Sequence, residues 1–141
     1  MAVAPINIEK KSPGAIVCIV EPDPKEAERI AGCVGTAGAA VRRYGDGQSL
    51  LADPLQDALC VISEMTLPDM TGAELIAALR ARGNHTPVIL LAEESDVASA
   101  VTGIRAGALD YLDKTQMERL LRLHLQRLIH ENGSDGGRRE D

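Results

Sequence analysis

The side chains of this chain that could do chemistry fall into a few groups, and spacing disposes of most. His85, His124 and His130 show no metal-ligand spacing, and His124 as a phosphotransfer histidine would need a four-helix setting that the chain does not supply. Cys18, Cys33 and Cys60 are odd in number, widely spaced and embedded in apolar segments, which suits small buried hydrophobes in a reducing compartment. Gly32, Gly35 and Gly38 follow a helical segment instead of a strand, so they read as a helix terminus and not as a phosphate-cradling loop. No Ser, His and Asp occur in a nucleophile-elbow pattern. What remains is acidic, with one lysine: Glu21, Asp23, Glu64, Asp69, Asp113 and Lys114, close behind short apolar runs.

Those apolar runs are Ala15 to Val20, Ala39 to Tyr44, Ala58 to Ser63, Pro87 to Leu91 and Leu109 to Leu112. Three are nearly continuous, as expected of parallel strands covered on both faces. Helical patterns lie between them. In the first, Asp23 is a candidate N-cap, Pro24 takes the first helical position, Glu26 completes a capping-box pattern, and Gly35 to Gly38 close it. The second is short, near Gln48 to Asp53. The third, Ala73 to Arg82, carries Leu75, Ile76 and Leu79 at helical spacing. The fourth starts at Ser95 or Asp96 and puts Val97, Val101 and Ile104 on one face. The fifth runs from about Gln116 to His130, and its leucines spread beyond the roughly 100° stripe of a docked helix, so part of it is expected to stay exposed. Alternating strands and helices give one parallel sheet covered on both faces, with ligand chemistry at the carboxyl ends of the strands. The stretches so positioned are Glu21 to Asp23, Gly45 to Gly47, Glu64 to Met70, Ala92 to Ser95 and Asp113 to Thr115.

At 141 residues the chain suits one domain, expected over 14–130, with flexible ends at 1–13 and 131–141. Hydrophobic residues at 45 % and charged residues at 26 % exclude wholesale disorder. A net charge of -6 with scattered basic residues argues against a nucleic-acid or membrane surface. The absence of Trp and Phe removes the platforms that stack bases or sandwich a flavin ring. No apolar run approaches the roughly 20 residues that span a bilayer, and no signal-peptide pattern opens the chain, so a cytoplasmic location is expected.

The run Ile62-Ser-Glu-Met-Thr-Leu-Pro-Asp-Met-Thr-Gly72 resembles the loop after the third strand of response-regulator receiver domains, the phosphate-switched modules of bacterial two-component phosphorelays. Ile19 to Asp23 resembles their first-strand acidic cluster, Pro87 to Leu91 their fourth strand, and Gly107 to Lys114 their fifth strand ending in lysine. The resemblance spans about 14 to 130 and implies a flavodoxin-like three-layer α/β fold with strand order 2-1-3-4-5. It aligns Glu64 with the phosphoacceptor aspartate, Glu21, Pro22 and Asp23 with the acidic pocket, Ala92 and Tyr111 with the switch pair, and Lys114 with the conserved lysine.

Three of these positions depart from the family. Glu64 reaches one methylene further than aspartate, enough to spoil in-line transfer, and it stands either as a mimic of the activated state or as the remnant of a lost site. Pro22 brings no oxygen to a position that ligates magnesium, so weak or absent magnesium binding is expected and no cofactor is assigned. Ala92 puts a methyl where a hydroxyl captures the phosphoryl oxygen. Without a cation, Lys114 becomes the counter-charge for Glu21 and Glu64. The expectation is a non-enzymatic, phosphorylation-independent receiver acting by contact with a histidine kinase or downstream effector. A homodimer through the fourth helix, fifth strand and fifth helix is also plausible. The rival is a phosphoacceptor using Glu64 or Asp69 with an unorthodox, weak magnesium site.

Overall fold

The computed structural model describes residues 15–94 and 96–138. Within them, strands β1 (Ile16–Val20), β2 (Ala40–Tyr44), β3 (Ala58–Glu64), β4 (Val88–Ala92) and β5 (Asp110–Asp113) alternate with helices α1 (Pro24–Ala37), α2 (Gly47–Leu51), α3 (Gly72–Ala81), α4 (Val97–Arg105) and α5 (Met117–Arg138). Every strand pair is parallel and the sheet order is β2-β1-β3-β4-β5, the flavodoxin-like arrangement. The expected flexible segment 1–13 lies outside the described residues.

Alternation along each strand divides the core between the two faces of the sheet. Val17, Ile19, Cys60, Ile62, Ile89 and Leu91 pack with Ile30 and Val34 of α1 and Met117, Leu121 and Leu125 of α5. On the other face, Cys18, Val20, Val61, Val88 and Leu90 pack with Leu50 of α2 and Leu75, Ile76 and Leu79 of α3. Cys18 and Cys60 are buried free thiols, and burial pushes Cys60 up to about 12, so it is an inert hydrophobe. The register pairs Val20 with both Tyr44 and Ser63, Glu64 with Leu91, and Ala92 with Asp113. This alignment gathers the residues just past the strands at one edge of the molecule.

Local caps differ in part from the sequence reading. Asp23 caps α1 by accepting from the Lys25 amide, but Glu26 makes no return bond, so the expected capping box does not form there. A complete box forms instead at α3, where Thr71 and Glu74 bond each other's amides. Helix α5 continues to Arg138 instead of ending at His130, so most of the expected tail 131–141 is helical. Once a helix is nucleated, each added residue gains a backbone bond. Helix α4 touches the sheet through Gly103, where an added Cβ would lie 2.9 Å from Leu90 Cδ1 and 3.2 Å from the Tyr111 ring.

Candidate functional site

Glu64 is the last residue of β3, and its side chain leaves the sheet edge between β1 and β4. The loop that follows is tightly tied. Met65 N–H donates to the Leu91 carbonyl at 2.8 Å, Leu67 N–H to Met70 at 3.0 Å, and Gly72 N–H to Met65 at 2.6 Å. Asp69, at the tip, accepts from the Gly47 and Gln48 amides at 2.9 Å each, which holds its carboxyl below the ordinary range and fastens the loop to the start of α2.

Lys114 follows β5 and turns back over the same edge. Its amide donates to the Ala92 carbonyl at 3.0 Å, and its own carbonyl accepts from the Arg29 guanidinium at 3.1 Å. With its backbone fixed at both ends, the ammonium sits against Glu64 Oε2 and lies 3.1 Å from Glu21, 3.2 Å from Glu26 and 3.4 Å from Glu93. Lys114, Glu21 and Glu64 are 5 %, 7 % and 8 % exposed, so the centre of the cluster is dry. Glu64 Oε2 is paired with the Lys114 ammonium at the centre of the cluster.

Burial, reinforced by the neighbouring Glu21, pushes the Glu64 carboxyl up to about 8 against the pull of Lys114. Burial by itself would lower the Lys114 ammonium, but Glu64 and Glu21 outweigh it and hold it above the ordinary lysine value. The structure therefore brings Glu21, Glu64 and Lys114 together and adds Glu26 and Glu93, which sequence reasoning missed. Glu26 had been assigned to a cap. Glu93 lies in one of the strand-end stretches, but no motif distinguishes it.

The remaining predicted residues lie around this cluster. Pro22 is exposed and offers no side-chain oxygen. Asp23 is engaged as a helix cap, and its amide donates to the second Glu21 oxygen at 3.1 Å. Ala92 is buried and lines a cavity of about 230 Å³ with Glu64, Glu93, Asp96, Ser99 and Tyr111. Tyr111 is half-buried beneath Gly103, and burial raises its phenol.

A divalent cation, which the resemblance implies, does not fit these residues. One Glu21 oxygen faces the Lys114 ammonium and the other accepts a backbone amide, while Glu64 is paired with the same ammonium. Among the described residues, no group of three or more His, Cys, Asp or Glu is arranged to hold a metal.

Comparison with known proteins covers most of the chain. The family described as Response regulator receiver domain matches residues 17–126. The C4-dicarboxylate transport transcriptional regulatory protein DctR of Rhodobacter capsulatus is 36 % identical over 101 residues, covering 70 % of this chain and 51 % of that protein. The transcriptional regulatory protein FixJ of Azorhizobium caulinodans is 31 % identical over 99 residues, covering 70 % of this chain and 47 % of that protein. The chain thus spans about half the length of these curated relatives. A response regulator receiver protein from Pseudoalteromonas atlantica superposes with a TM-score of 0.76 at 27 % identity, over 83 % of this chain and 98 % of that one. With the strand order, the strand-end carboxylates and the lysine after β5 already in place, this match over most of the length puts the chain in the response regulator receiver domain family of two-component signalling.

Proposed function

We propose that this receiver domain works without phosphoryl transfer: its own Lys114 ammonium occupies the carboxylates at the strand ends, and the domain acts through protein contacts. The observation that carries the reading is the position of Lys114 Nζ, against Glu64 and within hydrogen-bonding reach of Glu21, Glu26 and Glu93. A site filled by an internal cation has little call for an external one. Pro22 and Ala92 support the same reading, since neither supplies the oxygen that cation binding or phosphoryl capture uses. The partners that suit such a domain are a two-component histidine kinase or a downstream effector.

The alternative, phosphorylation at Glu64 or Asp69, is less well supported. Glu64 faces an ammonium, and both Asp69 oxygens accept backbone amides. Incubation with magnesium and a small phosphodonor or beryllofluoride, followed by intact mass and amide chemical shifts, separates the two. The expected result is no mass gain and no saturable shift at the strand ends. A stoichiometric phosphoryl adduct abolished by Glu64→Gln or Asp69→Asn would replace this reading with the alternative.

A further inference from the structure

Away from the strand ends the surface carries two features. On α4, Val97, Val101 and Ile104 form an exposed apolar stripe. Between α1 and α5 lies a cavity of about 340 Å³, lined by Arg29, Gly32, Cys33 and Thr36 of the first helix and by Glu118 and Arg122 of the second. The second feature has a lining that points to a ligand. Gly32 opens it. Glycine in the interior of a helix costs stability relative to alanine, because it loses more backbone freedom on folding. A helical glycine is usually explained by a neighbour that needs the room. Gly32 has no such neighbour, since a Cβ built there would meet no atom within 4 Å. What the glycine preserves is the space itself.

The charge around that space is cationic and incompletely used. Arg29 donates to the Lys114 carbonyl at 3.1 Å and lies 3.5 Å from Glu26 and 4.0 Å from Glu118. Glu118 stands four residues before Arg122, the spacing and order in which a helical ion pair forms most readily. It faces Arg29 instead, and Arg122 has no ion pair among the described residues. The Glu118 side chain is 72 % exposed and at the limit of contact, so an incoming anion displaces it at little cost. Burial and then Glu118 raise the Cys33 thiol against the pull of both arginines, so it is an uncharged wall that does not repel an anion. The Thr36 hydroxyl donates to the Gly32 carbonyl at 2.9 Å and is wall as well.

We propose that the cavity between α1 and α5 binds a small phosphomonoester, its phosphate held between the Arg29 and Arg122 guanidiniums and its organic body in the room over Gly32. Two planar forks of donors on one space suit a tetrahedral dianion, which offers each guanidinium a pair of oxygens and matches two positive charges. A single carboxylate satisfies only one of them. The volume is at the small end of ligand pockets. A nucleotide is unsuited, because no aromatic residue lines the cavity to stack a base. Arg29 reaches both the cavity and the Lys114 carbonyl, so an occupied cavity bears on the backbone that sets this lysine in place. The inference goes beyond the functional reading and does not depend on it.

The test is an amide-shift titration of the whole chain with inorganic phosphate, glycerol 3-phosphate and succinate, without magnesium and at an ionic strength held constant with sodium chloride. Saturable shifts are expected at residues 29–36 and 118–122, with dissociation constants on the order of 1 mM. Glycerol 3-phosphate should bind more tightly than phosphate, and succinate more weakly than either. Arg122→Gln should weaken binding about tenfold, the worth of one charge-assisted pair. Glu118→Gln should tighten it. Gly32→Leu should abolish binding and leave the urea midpoint unchanged or higher, since leucine favours the helix and has open space to enter. Shifts that do not saturate, shifts confined to the strand ends, succinate binding as well as phosphate, indifference to Arg122→Gln, or binding that survives Gly32→Leu would each overturn the proposed site. None of these results touches the functional reading. A covalent phosphoryl adduct at Glu64 or Asp69 would overturn that reading and leave the cavity standing.

Discussion

Lys114 can neutralise one negative charge, yet four carboxylates surround it, so the cluster carries an excess of anions in a dry setting. Burial, and after it the neighbouring Glu21, raise the Glu64 carboxyl to about 8, so a proton held there relieves part of that excess. A carboxyl raised towards neutral pH carries less charge than a phosphoryl group. The sign of the pH effect follows. Glu64 binds its proton more tightly when folded than at its ordinary 4.5, so its contribution to stability is full below about 4.5 and is lost as pH rises through about 8. Lys114, raised above its ordinary value, stays charged throughout that window. Urea midpoints should therefore decline from pH 4.5 to 8 in the wild type, and Glu64→Gln should flatten the slope; an unchanged slope would place the proton elsewhere. Lys114→Ala should cost about 3 kcal/mol or more at pH 8, because it strands buried carboxylates without their counter-charge, measured by urea unfolding.

At the scale of elements, the cluster depends on how closely α3 approaches the end of β3. A Cβ at Gly72 would lie 2.5 Å from Leu90 Cδ2 and 3.0 Å from the Glu64 carbonyl oxygen, and backbone cannot give way as a side chain can. Gly72→Ala should cost about 1–3 kcal/mol by thermal or urea unfolding, with the largest amide-shift changes in Glu64 and Met65. Strands were legible in the sequence because nearly continuous apolar runs admit few other readings. Helix starts were legible at Asp23, and at Asp96 as one of two candidates with Ser95; each aspartate caps the helix it precedes. Glu26 shows the limit. Its spacing from Asp23 fits a capping box, but the long-range attraction of Lys114, 88 residues away, takes its carboxylate instead. Helix α4 shows another: its periodicity revealed a face, but not whether that face met the sheet or the solvent.

Over the whole molecule, a parallel sheet with all strand ends aligned makes one edge chemically distinct, and this much of the site could be read from strand order alone. Which carboxylates converge there could not, since convergence depends on loop paths and on where one lysine side chain ends. If Lys114 fills the site, magnesium should leave global stability unchanged. A competent site with a dissociation constant of about 0.1 mM would add about 2.7 kcal/mol at about 10 mM metal, enough to raise the melting midpoint visibly. No shift is expected, by calorimetry with and without the ion. Among the described residues, no helix is long and apolar enough to cross a membrane. The chain's two tyrosines, in the absence of Trp and Phe, stand on the two edge strands, Tyr44 on β2 and Tyr111 on β5. Their ultraviolet emission is thus a pair of built-in reporters, one at each border of the sheet. The Tyr44 hydroxyl donates to the Asp53 carboxylate, a contact that quenches phenol fluorescence, whereas Tyr111 borders the cavity beside Ala92. Single Tyr→Phe substitutions at Tyr44 and Tyr111 would assign the emission to each border of the sheet, so that events beside the switch position can be followed without attaching a dye.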